Sequence, residues 1–469
     1  MRIFILCFSI LGMSFSLPVG AQQLGDPAEA FGRLPRISQP VISPNGEYLA
    51  ITAPKDGRDA LIIINLKERK PTARLSFDKE IYNNIVEIGW YRWASSERLL
   101  VSVNAPTKRG TNRVPTVDTR LISMNVDGSD VRTLLHQPRI RYQTQSKDDV
   151  ISFLPKDPDH ILMGFAPEGG EPSVYKVNIH NDKRQRVKRF ISGIWSWEAD
   201  WDGDVRLGFG YSGRKNTRAI VRRRDGEDGF DELFKLNPFK EHSYFIDGFA
   251  DKQHVYVRSA HETGLRGLYL LDLVSGEVAD TVFKHDQVDV GDVLYTPSGK
   301  PLAVNYTTDR HYYHPLDRGF EGIYNGLNSV LPDRSNMITN VSNGGRFWTV
   351  YSYSSSVPGD FYILDTSNNN MEYMGSAYPQ LNDVAMAPST HIIYEARDGL
   401  KVPAYVTLPA NAGDEPLPFI VLPHGGPYAR DTEAFDFWAQ YLAYLGYGVI
   451  QPNFRGSEGY GDGYGFGYG

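Results

Sequence analysis

Short apolar runs, separated by turns built from Pro, Asp, Asn, Ser and Gly, follow one another along most of this chain. The clearest turn is Ser43-Pro44-Asn45-Gly46, followed by the apolar Tyr48-Leu49-Ala50. Copies follow at Ala94-Ser95-Ser96-Glu97, Lys156-Asp157-Pro158-Asp159, Asp202-Gly203-Asp204, Ala250-Asp251-Lys252-Gln253, Pro297-Ser298-Gly299-Lys300 and Ser342-Asn343-Gly344-Gly345. Successive copies stand 45 to 62 residues apart, the length of a four-stranded propeller blade. A second signature trails most of them: an apolar strand ending in Asn or Asp. Examples are Leu61–Leu66, Leu121–Val126, Val174–Asn178, Leu268–Leu273 and Phe361–Asp365. These read as the third strand of each unit, turning into a fourth. A unit of this kind cannot bury both faces alone, so the units must stack in a ring. The expectation is a mainly β chain with a seven-bladed β-propeller over 22–388, its terminal blades taking no strands from both chain ends. An array of β-sandwiches is the alternative, but the period is too long for it. The stretch Asn104 to Thr119 reads as an insertion in the second unit, and Arg310–Pro315 as a polar loop. His311 and His314, with Asp309 and Asp317 nearby, lack a third placed ligand, so no metal site is assigned.

The pattern changes near residue 385. Ile393–Ala396 and Val402–Pro409 flank an Asp398-Gly399 turn, as two strands would. Phe419–Leu422 is continuously apolar, like a buried parallel strand. Glu433 to Leu445 carries apolar residues at helical spacing (Phe435, Trp438, Ala439, Leu442 and Leu445). Asp431 or Thr432 would cap that helix and Gly446 would stop it. Gly448–Gln451 makes the next strand. Strand, Gly-rich turn, helix and strand form the βαβ unit of an α/β sheet, here over 389–469.

The N-terminus stands apart from both regions. Arg2, the apolar run Ile3–Leu17 and the small residues Val19-Gly20-Ala21 match an export signal over 1–21, cleaved before Gln22. An uncleaved anchor is the alternative, although a span needs roughly 20 apolar residues. The chain's single cysteine, Cys7, lies inside this run, so the mature protein would have no disulfide, thiolate metal site or cysteine nucleophile. The location implied is secreted or periplasmic. The formal net charge of −7 is spread along the chain with both signs, and nothing in it suggests nucleic-acid binding.

Chemistry concentrates at His424-Gly425-Gly426-Pro427, which directly follows the apolar run at 419–422. Two glycines after a strand let the backbone approach a ligand with no Cβ in the way. Their N–H groups can then point at a developing oxyanion, as in the His-Gly-Gly-Gly loop of α/β-hydrolases. A plain tight turn is the other reading.

Three motifs carry a resemblance to a known family. They are Arg397-Asp398-Gly399-Leu400-Lys401-Val402-Pro403-Ala404-Tyr405, Pro423-His424-Gly425-Gly426-Pro427, and Asn453-Phe454-Arg455-Gly456-Ser457-Glu458-Gly459-Tyr460-Gly461. In this order and spacing the chain resembles the prolyl oligopeptidase family of serine peptidases, especially its acylaminoacyl-peptidase and dipeptidyl-aminopeptidase branches. The resemblance implies a propeller followed by an α/β-hydrolase domain acting on short peptides without a cofactor. It assigns Gly425 and Gly426 to the oxyanion loop, with His424 and Arg455 in supporting loops.

The sequence departs from that family in one respect. The nucleophile of such enzymes sits in Gly-x-Ser-x-Gly-Gly, and no Gly-x-Ser-x-Gly occurs in the 469 residues. Ser457 follows Gly456 but lacks the glycine two positions before it. His424 belongs to the oxyanion motif and is not assigned as the base. A hydrolase domain of this kind takes roughly 200 residues, whereas fewer than 90 follow the repeats. The expectation is therefore a C-terminally truncated serine exo- or oligopeptidase, inert as it stands, with no catalytic residue of its own. The alternative is an exported propeller used as a binding module, carrying a residual hydrolase stub.

Overall fold

Three of the repeated turns close by one chemistry, because a Ser or Thr at their start offers two acceptors. At Ser43 the carbonyl accepts from Gly46 N at 2.9 Å, and the hydroxyl accepts from Tyr48 N at 2.9 Å. Ser342 accepts from Gly345 N at 3.0 Å and Phe347 N at 2.9 Å in the same way. Thr296 repeats it with Gly299 N at 2.9 Å and Lys300 N at 3.1 Å. Gly299 must be glycine: its φ is +90°, and a Cβ there would fall 2.1 Å from the Trp201 ring.

The computed structural model describes residues 5–7, 26–55, 58–76, 86–109, 114–137, 144–167, 169–212, 216–222, 229–236, 244–260, 264–426 and 429–461. Among them, seven antiparallel sheets follow in chain order, over 38–75, 87–133, 150–188, 194–236, 245–283, 290–315 and 335–376. The five runs ending in Asn or Asp are all third strands, as their pattern predicts: Arg58–Asn65, Val114–Asn125, Ser173–Asn178, Gly267–Asp272 and Val357–Asp365.

Each sheet buries its apolar face on the next. Leu61 of the first packs with Tyr91 and Leu99 of the second. Leu121 then packs with Ile161 and Val177, Val174 with Trp197, Leu207 with Val257 and Tyr269, Leu268 with Val304, and Leu302 with Trp348. Phe361 and Ile363 of the seventh sheet close on Leu49 and Ile51 of the first. Tryptophan N–H groups bridge several joints, as Trp93 Nε1 does to Val41 O at 2.9 Å and Trp197 Nε1 to Pro172 O at 2.8 Å. The closing joint has Ile42 N donating to Asn340 Oδ1 at 3.0 Å and Thr349 Oγ1 to Pro40 O at 3.3 Å. Sheets stacked face to face with the last on the first have the arrangement of a β-propeller.

Several expectations need correction. Ile5–Cys7 forms a short strand parallel to Asn370–Ser376, on the outer edge of the seventh sheet. That sheet therefore does take strands from both chain ends, since an outer edge offers unpaired backbone groups to any extended segment. The rest of 1–21 lies outside the described residues. The insertion read at 104–119 takes the form of an extended hairpin: strands Arg98–Arg109 and Val114–Asn125 pair along their whole length, with 110–113 outside the described residues. Residues His311–Pro315 likewise form a strand. Positions three apart on a strand face opposite sides. His311 is accordingly packed edge-on to Tyr313, and His314 stacks on Phe283 at 3.9 Å. Burial pushes the His311 ring down to about 4.

The sixth sheet has three strands, and helix α2 (Arg318–Val330) follows it. With α1 (Pro27–Gly32) and α3 (Phe437–Tyr444), it is one of three α-helices among the described residues. α2 is capped by Asp317, which accepts from Phe320 N at 3.0 Å. Its Phe320 ring lies 5.2 Å from Trp348 and 5.5 Å from Tyr313.

An eighth sheet runs over 389–452 in the order Ser389–Glu395, Lys401–Thr407, Gly448–Pro452, Phe419–Val421. The last two strands are parallel, with α3 between them in sequence. Two details differ from the sequence reading. Phe419 and Val421 are 54% and 65% exposed, so this strand is an open edge rather than a buried one. The helix starts at Phe437, because Asp436 takes both Trp438 N and Ala439 N at 2.8 Å. Residues before it are held elsewhere, with Glu433 N on Asp309 O. The buried face of α3 is consequently Ala439, Gln440 and Ala443, while Trp438 is exposed.

Helix α3 docks on the ring through an amide. Gln440 Nε2 donates to Ser355 O at 2.8 Å and Ala387 O at 2.6 Å, and its Oε1 accepts from Ala387 N at 3.2 Å. The Phe31 ring of α1 packs 5.5 Å from Tyr441. Gln440→Leu would leave those three backbone groups unpaired, at about 1–3 kcal/mol for each that water cannot reach. The expected result is a lower melting temperature for 389–461, read by faster hydrogen exchange there than in the ring. Unchanged exchange would rule the anchoring role out.

Candidate active site

The site is built where two loops of the eighth sheet meet: the turn after Phe419–Val421 and the loop after Gly448–Pro452. The second is pinned from both sides. Asn453, fully buried, donates through its backbone to Pro403 O at 2.8 Å. Its side chain pairs with the Asp431 backbone, accepting from N at 2.7 Å and donating to O at 3.0 Å. Arg430 donates to Thr307 O at 3.0 Å, Thr308 O at 2.6 Å and the Tyr460 hydroxyl at 2.8 Å. Gly459 O accepts from Asp289 N at 2.9 Å, and Glu458 faces Arg266 at 3.8 Å. The loop is thus tied to the fifth and sixth sheets of the ring.

The first loop carries the predicted glycines. Gly425 and Gly426 are exposed, and a Cβ added at Gly425 would meet nothing within 4 Å. Gly426 has φ +141°, a conformation that side-chain-bearing residues rarely adopt. Pro427 lies outside the described residues. His424 stacks on Phe454 at 4.4 Å, and its Nε2 is 2.7 Å from Ser457 Oγ. The structure therefore brings His424 and the two glycines against the Arg455–Gly461 loop. Arg455 itself points away and pairs with Asp398 in the turn between the first two strands of this sheet. Its part is to tie two loops together.

Ser457, Asn453, Arg430 and Asp431 were not anticipated as site residues. The only signal for the first two is their place in the third motif, and the sequence gives no sign of their partners. Burial pushes the Asp431 carboxyl up to about 6; Asp436 adds to this, while His424 opposes it. Its ordinary value is 3.8, so between the two the folded state binds more protons than the unfolded. Stability should therefore fall as pH rises from about 4 to about 6 and then level off. Asp431→Asn cannot ionise, and it should match the parent at pH 4 and exceed it at pH 7. Urea midpoints at the two pH values test this, and equal differences at both would refute it.

Two exposed backbone amides at a strand end, on a turn braced from one side, can receive negative charge developing on a carbonyl oxygen. No family model matches the chain. Over 431 residues it is 26% identical to dipeptidyl aminopeptidase BIII of Pseudoxanthomonas mexicana, covering 90% of this chain and 59% of that protein. Over 204 residues it is 30% identical to dipeptidyl peptidase family member 6 of Caenorhabditis elegans, covering 39% of this chain and 28% of that protein. Among solved structures, a puromycin-hydrolyzing peptidase of Mycobacterium tuberculosis superposes with a TM-score of 0.63 at 16% identity, over 93% of this chain and 69% of that one. The chain thus spans about three fifths of the length of the first of these curated relatives. The relatives of this chain are thus peptidases of the prolyl oligopeptidase family, and its ring of antiparallel sheets corresponds mostly to their propeller portion.

Proposed function

We propose that this chain is the propeller and the first part of the α/β-hydrolase domain of a serine-type peptidase that cleaves short peptides. The observation that carries the reading is the Gly425-Gly426 turn. It stands exposed at the end of a parallel strand and before α3, where an α/β-hydrolase keeps one oxyanion donor. In that reading the seven sheets over 38–376 are seven blades, and they limit access to short substrates. A serine outside these 469 residues attacks the peptide carbonyl, with a histidine and an aspartate as base and orienter. Backbone N–H groups of the turn hold the oxyanion. The apolar N-terminus supports export to a secreted or periplasmic location.

The 469-residue chain alone is expected to be inert. Aminoacyl- and acylaminoacyl-nitroanilides should be hydrolysed no faster than background, and a fluorophosphonate should label no serine. Specific labelling of any serine would overturn the assignment of the nucleophile to another segment. Tight binding of intact peptides by the inert chain, with no activity when the reading frame is extended, would favour a propeller that acts as a binding module.

A further inference from the structure

We propose that Ser457 is a positioning residue which, through the His424 ring, aims the Gly426 amide at the oxyanion. The inference rests on the oxyanion reading of the Gly425-Gly426 turn. Ser457 is 5% exposed, and its Oγ lies 2.7 Å from His424 Nε2 and 2.7 Å from Phe454 O. On the other side of the ring, Nδ1 lies 2.8 Å from Gly425 O. A hydroxyl has one hydrogen, and a neutral imidazole has one N–H.

If Ser457 gave its hydrogen to Phe454 O, a neutral ring would have to donate from Nε2. Its bare Nδ1 would then face the Gly425 carbonyl, lone pair against lone pair. Two arrangements avoid that clash. In the neutral one Ser457 donates to Nε2 and Nδ1–H donates to Gly425 O. Phe454 O still receives Ser457 N at 3.0 Å, so no partner is lost. In the charged one both ring N–H groups donate, and the hydroxyl turns to Phe454 O. In both, Nδ1–H holds the Gly425 carbonyl.

That carbonyl shares a peptide plane with the Gly426 N–H, and in a trans peptide the two point in opposite directions. Fixing one fixes the other. Nothing packs within 4 Å of a Cβ placed on Gly425, so the ring bond replaces side-chain packing as the brace. The Phe454 ring keeps the imidazole in plane, lying 18° from parallel. The relay thus runs from Ser457 Oγ through His424 to Gly425 O and the Gly426 amide.

The test is histidine-¹⁵N NMR on the 469-residue chain, with His424→Gln to identify the signal. The parent should show His424 protonated at Nδ1, with a slowly exchanging proton. Ser457→Ala should speed that exchange at least about tenfold, and Ser457→Thr, which keeps a hydroxyl, should restore it. Protonation at Nε2 alone in the parent would overturn the proposal, and so would an Nδ1 proton indifferent to Ser457→Ala. The parent measurement decides even if Ser457→Ala fails to fold. In the polypeptide that carries the nucleophile, Ser457→Ala should lower kcat about tenfold with KM within about threefold, and Ser457→Thr should recover it. Loss of the Nδ1 proton with kcat intact would overturn the oxyanion reading while leaving the serine's hold on the ring in place.

Discussion

Gly426→Val is expected to lower kcat by about 10²–10³ in the polypeptide that carries the nucleophile, the usual cost of losing one oxyanion donor. At φ +141° a β-branched residue is a backbone outlier, so the turn must shift by a fraction of an ångström or more. The reacting charge is sensitive to a shift of that size. Binding by the ring should change little, so KM should stay within about threefold. If the turn is purely structural, the same substitution lowers the melting temperature and leaves kcat per active site intact in the folded fraction. Active-site titration and melting on one preparation separate the two, and full kcat with reduced stability would mean that a tight turn has been taken for a catalytic one.

The largest stability effect is expected for Phe320→Ala, at about 3–5 kcal/mol. The ring is 1% exposed and touches Trp348, Tyr313 and Tyr324 at once. It fills the joint between the sixth and seventh sheets, where α2 covers a face that a fourth strand does not. Denaturant midpoints followed by tryptophan fluorescence measure it, because Trp348 reports on that joint. A loss below about 1 kcal/mol would mean that α2 is an ornament on the ring.

Turns and third strands were legible in the sequence because their chemistry is local. A Ser or Thr with a glycine three residues later, as at Ser43 and Thr296, closes a turn wherever it lies. α2 was missed although Phe320, Tyr324 and Leu327 follow Asp317 at helical spacing. The strand grammar around it masked a single helix, and only its neighbour, Trp348, shows which face is buried. The exposed Val421 and Trp438 illustrate the same limit from the other side, since an apolar pattern tells which residues seek a partner and not which find one. At the site, Gly425 and Gly426 stand out because they lie between a continuously apolar run and a stretch of helical spacing. The roles of Asn453 and Arg430 depend on bonds to loops 22 and more than 120 residues away in sequence, and no local signal encodes those.

The joint between the first and seventh sheets differs from the other six in one way. Its bonds link residues 298 and 309 positions apart, whereas neighbouring sheets along the chain meet across some 50 residues. By the logarithmic cost of closing a flexible loop, joining the ends of so long a chain costs roughly 1.5 kcal/mol more than joining adjacent sheets. Six joints can therefore zip sequentially from any starting pair, and the seventh is expected to form last. Among the described residues no backbone ladder joins the two sheets. Unfolding should begin there as well, so the ring has a seam, and deuterium uptake under mild denaturant should rise first along Ser38–Ile42 and Ser335–Val341.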